Sequence, residues 1–280
     1  MSDRVTTDLA DGVRVFQSPM WQTNTLRVRV ENSTLLVDPA FYPDELVALR
    51  EETVRDGDGA LHLLVTHADF DHTCGIGYFP HAEVIAGRAT AERIASGEAA
   101  AALEDQGPEY GAAWPTQLRT DTVVPAGTAF TAGPFRVATV DAPGHGPDGL
   151  AYVLADHGIL VPGDYLSAIT YPFVTHSLAE TRATVSRLLA ALDEHPVRWV
   201  VPGHGPVLSA DDARRVGAAD LEYVDRLAAA ADAAHDEALA PAHALLEVFA
   251  VEPPRANTDD FEVYGIRSAN AARALAERAA

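Results

Sequence analysis

The sequence predicts an α/β chain. Three observations carry that reading: apolar residues alternate with period two through the first forty positions, strand, helix and strand signals then follow one another, and Ala-rich helical sequence fills the last seventy residues. The 280 residues suffice to bury a sizeable core, and 48% apolar with 22% charged residues is the composition of a soluble globular protein.

Taken in order, Val13-Arg14-Val15-Phe16, Leu26 to Val30 and Leu35-Leu36-Val37, with a turn at Asn32-Ser33, read as antiparallel strands. A helix begins at Pro43, because Pro stands in the first turn, Asp44 and Glu45 come early and Arg50 late. The cluster Asp56-Gly57-Asp58-Gly59 stops it. Leu61 to Thr66 is a short apolar run suited to a strand buried on both faces, and it delivers the chain to His67. Val84-Ile85-Ala86 is the next strand, followed by one helix from about Arg88 to Glu104. Between Gln106 and Gly133, Pro108, Gly111, Pro115, Pro125 and Gly127 mark loops that rim a surface or a cleft.

Alternation resumes from Phe135 to Val140, and Tyr152 to Leu154 and Ile159 to Val161 flank Asp156-His157-Gly158 as a hairpin. Ser177-Leu178-Ala179-Glu180 is a capping box opening a helix to about Glu194, and Trp199-Val200-Val201 is the final buried strand. Beyond Pro206 a second capping box, Ser209-Ala210-Asp211-Asp212, opens helical sequence that breaks near Pro241 and at Pro253-Pro254. The chain thus divides into residues 1–208 and a helical extension, 209–280. The extension's apolar positions suit a core cover, a homodimer face or a lid, and the sequence does not choose.

Charge narrows the function. Twenty basic residues, all Arg, face 41 acidic ones for a net charge of −21, so lysine chemistry is excluded and phosphate backbones and anionic lipid are repelled. A small-molecule substrate is expected, with neither nucleic acid nor membrane as partner. Met1 to Ala10 lacks the basic and apolar regions of a signal peptide, and no apolar stretch reaches spanning length, so a cytoplasmic location is expected. With Cys74 the single cysteine, any metal must be held by His and carboxylates.

The chemistry concentrates at Thr66-His67-Ala68-Asp69-Phe70-Asp71-His72, where a strand ends and ligand-type side chains recur at alternate positions. Three more segments put a ligand-type residue in a Gly/Pro-bracketed loop: Pro143-Gly144-His145-Gly146, Pro162-Gly163-Asp164 and Pro202-Gly203-His204-Gly205.

From about Val13 to Leu208, these segments in this order resemble the metallo-β-lactamase-fold metallohydrolases, including their glyoxalase II-like and lactonase-like branches. The resemblance implies a four-layer αββα sandwich. It also implies two divalent metal ions, with His67, Asp69 and His145 on the first, Asp71, His72 and His204 on the second, and Asp164 bridging. Zinc is the first expectation. Asp71 and His72 are thereby catalytic as well as ligating, and a hydroxide held by the metals would attack a small ester, thioester, lactone or amide.

The second His of the family loop is Asp69 here, which makes the first site harder and admits iron or manganese. Two alternatives follow: a di-iron redox or oxygen-activating enzyme, as in flavodiiron-type relatives with a Glu at this position, or a regulatory protein that binds metal without catalysis. By the same resemblance Tyr165, Tyr171 and His176 are candidate substrate contacts, Asp38 supports the metal loop, and Cys74 packs as a small residue. Asp148 stands where relatives often carry Ser or Thr, and the sequence gives no reason for it.

Overall fold

A computed structural model describes residues 4–55, 59–255 and 265–279. The stop cluster at Asp56 to Asp58 lies outside the described residues.

Strands β1 (Val5–Ala10), β2 (Val13–Gln17), β3 (Asn24–Val30) and β4 (Ser33–Val37) form an antiparallel meander. Helix α1 (Pro43–Arg55) leads to β5 (Leu61–Val65), which pairs parallel to β4 and is followed by parallel β6 (Glu83–Gly87) and β7 (Thr122–Val124). The result is a seven-stranded sheet in sequential order. Between β5 and β6 the loop that begins at Thr66 carries the short helix α2 (Phe70–Thr73).

The single helix expected from Arg88 to Glu104 is two, α3 (Arg88–Ala95) and α4 (Glu98–Gln106). Gly97, at φ 85°, takes the left-handed conformation that ends one and starts the other. The 106–133 stretch, read as loop, also holds β7 and β8 (Ala129–Ala132), strands too short to show a period.

The second sheet runs β13-β12-β11-β10-β9-β8, built from β8, β9 (Phe135–Asp141), β10 (Leu150–Leu154), β11 (Ile159–Val161), β12 (Trp199–Val200) and β13 (Leu208–Ser209). The strand at Trp199 is therefore not the last, because Leu208-Ser209 adds an antiparallel edge to it. Helix α5 (Leu178–Glu194) starts where Ser177 accepts a hydrogen bond from the Glu180 amide, and α6 (Ala210–Asp236) where Ser209 accepts one from Asp212. Helices α7 (Pro241–Phe249) and α8 (Ile266–Ala279) complete the chain.

Alternation builds the four layers. Leu35, Val37 and Leu64 point inward to meet Phe135, Val137, Tyr152 and Ile159 of the second sheet. Their neighbours Leu36, Leu63 and Val65 point outward to Leu49 of α1, Ile94 of α3 and Ala99 of α4. On the far side Val153 and Leu160 meet Val185 and Leu188 of α5 and Ala213 of α6. A fourth cluster joins Trp21, Phe41 and Trp114 to Tyr223 and Leu227 of α6, Val248 of α7 and Ile266 of α8. Among the described residues no helix is long and apolar enough to cross a membrane.

Candidate metal centre

Every ligand-type residue singled out in the sequence lies at one edge of the two sheets, in loops that leave β5, β9, β11 and β12. His67, Asp69 and His145 form one group whose ligand atoms lie within 4.8 Å of one another, and Asp71, His72 and His204 form another. Asp164 stands between them. Its Oδ2 is 3.4 Å from His145 Nε2 and 3.8 Å from His67 Nε2, whereas its Oδ1 is 2.9 Å from His72 Nε2 and 3.4 Å from His204 Nε2. Asp69 Oδ2 lies 3.1 Å from His145 Nε2, and Asp71 Oδ2 lies 3.2 Å from His204 Nε2. Ligands bound to a tetrahedral ion at about 2.0–2.2 Å stand about 3.3–3.6 Å apart, so both groups have the spacing of a coordination shell.

All four imidazoles turn Nε2 toward this space, because each Nδ1 is engaged elsewhere. His67 Nδ1 meets Thr66 Oγ1 at 3.0 Å, His72 Nδ1 meets Asp38 Oδ2 at 3.0 Å, His145 Nδ1 donates to the Phe173 carbonyl at 2.7 Å, and His204 Nδ1 lies 3.2 Å from the Trp21 carbonyl. Asp38 also accepts from the Thr66 amide at 2.9 Å and the Thr66 hydroxyl at 2.6 Å, which gives it the supporting contact expected from the sequence. Gly203 is required by space: a Cβ there would come within 2.8 Å of His72 Cε1.

Burial and charge act together on these groups. Burial and the neighbouring His72 hold His67 below the usual imidazole range. Burial opposes protonation of His145 and His204 as well, but Asp69 and Asp164 around the first, and Asp164 and Asp71 around the second, push each up to about 9. Asp164 stays well below the carboxylate range despite its burial, because His72 and His204 face it. Nε2 of His67 is buried without a hydrogen-bond partner, and Nε2 of His72 and Oδ1 of Asp164, though 2.9 Å apart, are buried without hydrogen-bond geometry between them. Buried polar atoms left without partners are costly, and donors of this kind, aimed at one space, fit divalent cations.

The centre floors a cleft of about 320 Å³ walled by Trp21, Phe70, Phe173 and Ile266, with Arg93 and Glu98 among its polar groups. None of the candidate substrate contacts Tyr165, Tyr171 and His176 lines this cleft. Tyr165 is buried, its hydroxyl accepting from the His145 amide and donating to the Pro143 carbonyl, each at 2.8 Å. Tyr171 packs on Tyr223 inside the core, and His176 is exposed at the start of α5, its amide bonded to the 144–145 loop. Cys74 is fully buried, in keeping with a packing role. Sequence reasoning missed Trp21, Phe70, Phe173 and Arg93. Of these, Phe70 carried a signal by standing inside the 66–72 loop, and Phe173 by standing between the candidate contacts Tyr171 and His176.

A family model described as the metallo-beta-lactamase superfamily matches residues 19–204, about two thirds of the chain and all of its ligand-type loops. The chain belongs to the metallo-β-lactamase superfamily. Its enzyme class follows as that of a metal-dependent hydrolase. Solved structures similar to this superfamily member include a metallo-beta-lactamase from Pontibacter korlensis, with 18% identity and a TM-score of 0.59 over 79% of this chain and 99% of that one. Another is FIM-1 from Pseudomonas aeruginosa in a mono-zinc form, with 18% identity and a TM-score of 0.57 over 79% and 96%. A third, from Hirschia baltica, has 18% identity and a TM-score of 0.54 over 77% and 96%. These likenesses are of fold. No curated protein matches the sequence of this superfamily member.

Proposed function

We propose that the protein is a dinuclear metal-dependent hydrolase of a small ester, thioester, lactone or amide. The observation that carries the reading is the convergence of four Nε2 atoms and three carboxylates on one space at the floor of a cleft, with every Nδ1 engaged behind it. His67, Asp69 and His145 would hold one cation, Asp71, His72 and His204 the other, and Asp164 both. When bound, two divalent cations bring the pKa of water to about 7 and polarise the oxygen under attack. The chain's own residues supply the rest. Asp38, Thr66 and the carbonyls of Trp21 and Phe173 fix the imidazole tautomers. Trp21, Phe70, Phe173 and Ile266 exclude water and seat the apolar part of the substrate.

The acidic, lysine-free composition supports a small-molecule substrate. Zinc-loaded protein is expected to turn over members of an ester, thioester, lactone and amide panel and to stop when a chelator removes the metal. Fully loaded protein that turns over none of them contradicts the proposal.

Asp69 favours a second reading, iron-dependent redox chemistry, because a carboxylate in the first group suits a harder ion. It is tested by oxygen consumption of the iron-loaded protein.

A further inference from the structure

Asp69 divides its two oxygens. Oδ2 faces His145 Nε2 at 3.1 Å and His67 Nε2 at 3.7 Å, while Oδ1 faces away, 3.3 Å from Arg93 Nη1. The same Arg93 nitrogen lies 2.5 Å from Asp148 Oδ1, and Arg93 Nε donates to Glu98 Oε1 at 2.8 Å. Asp148 has no exposed side-chain surface. Its Oδ2 accepts from the Ala68 amide at 2.7 Å, and its carbonyl accepts from Thr90 of α3 at 2.9 Å. One buried carboxylate thus fastens the backbone just before Asp69, seats the guanidinium that faces Asp69, and ties the His145 loop to α3.

We propose that Arg93, seated by Asp148, is the positioning residue that makes Asp69 a single-oxygen ligand of the first metal position. The inference rests on the metal-binding reading above. A carboxylate can rotate to offer either oxygen or both, a freedom that a histidine in the same place lacks. Occupying Oδ1 with a guanidinium removes that freedom and offsets one negative charge in a group already crowded with carboxylates. A residue doing this matters to metal binding only while position 69 is a carboxylate.

The test is a double-mutant cycle read by metal affinity. Zinc affinity at each position is measured by chelator competition in wild type, Arg93→Met, Asp69→His and the double variant, with the cobalt(II) absorption spectrum reporting first-position geometry. Arg93→Met is expected to weaken the first position about tenfold or more and leave the second within about twofold. In the Asp69→His background the same change is expected to cost less than about twofold. An equal loss in both backgrounds, an equal loss at both positions, or no loss overturns the inference while leaving the hydrolase reading intact. If Arg93→Met does not fold, Asp148→Asn decides: weakening of the first position alone supports the inference, and unchanged affinity overturns it. Wild-type protein that binds no metal overturns both.

Discussion

Asp38 holds the centre together from behind. Its backbone lies in the left-handed region at φ 47°, where Asp is among the few residues tolerated, and its carboxylate reaches the Thr66 amide, the Thr66 hydroxyl and His72 Nδ1. Asp38→Ala is expected to weaken metal binding at the Asp71, His72, His204 group by about 10- to 100-fold, as for other partners of metal-bound imidazoles. Chelator competition checks it, and unchanged affinity would show that His72 needs no such support. The seven ligand-type residues stood out in the sequence, His67, Asp69, Asp71 and His72 by their close spacing where a strand ends, and His145, Asp164 and His204 by Gly and Pro neighbours that announce a tight turn. Asp148 was visible as a departure but not as a reason. Its partners, Arg93 and the Ala68 amide, lie 55 and 80 positions away, and no local pattern links them.

Among the elements, α8 reaches furthest. Asn270 accepts a hydrogen bond from the Val174 amide at 2.8 Å and donates one to the Pro172 carbonyl at 2.7 Å, bracketing Phe173, whose own carbonyl takes His145 Nδ1. Glu277 of the same helix accepts from the Leu178 amide at 2.5 Å. The last helix thereby steadies the His145 loop, which lies over a hundred residues earlier. Asn270→Ala leaves two buried backbone groups unpaired, so stability is expected to fall by about 1–3 kcal/mol, with metal affinity reduced chiefly at the His145 position. Thermal unfolding and chelator competition on the same variant check both halves. An unchanged melting temperature would remove this strap from the account. The helical character of the last seventy residues was legible from composition and capping boxes, whereas their placement was not, since it depends on contacts with Trp21, Phe41 and Tyr171 far away in sequence. The strands missed were β1, which is largely exposed, and the short β7, β8 and β13, where period two has too few residues to register.

At the scale of the molecule, two sheets bury a shared apolar layer and each carries helices on its outer face, so every central strand is covered twice. That rigid stack fixes the ends of β5, β9, β11 and β12 along one edge, and four loops from those ends meet there without any being long. The buried strands were legible because strands covered on both faces read as continuous apolar runs, as at Leu61 to Val65, whereas the four layers followed only from the family resemblance. The cleft above the centre was not, because its walls come from the loop before β3, from α2, from the segment before α5 and from α8. On the proposed function, these loops build two adjacent metal positions sharing Asp164. Elemental analysis of zinc-loaded protein beside an Asp69→Ala variant counts those positions. Two zinc ions are expected per wild-type chain, in line with the two ligand groups joined by Asp164, and about one in the variant. A wild-type chain that retains no zinc, or an Asp69→Ala variant that still retains both ions, would contradict the proposal.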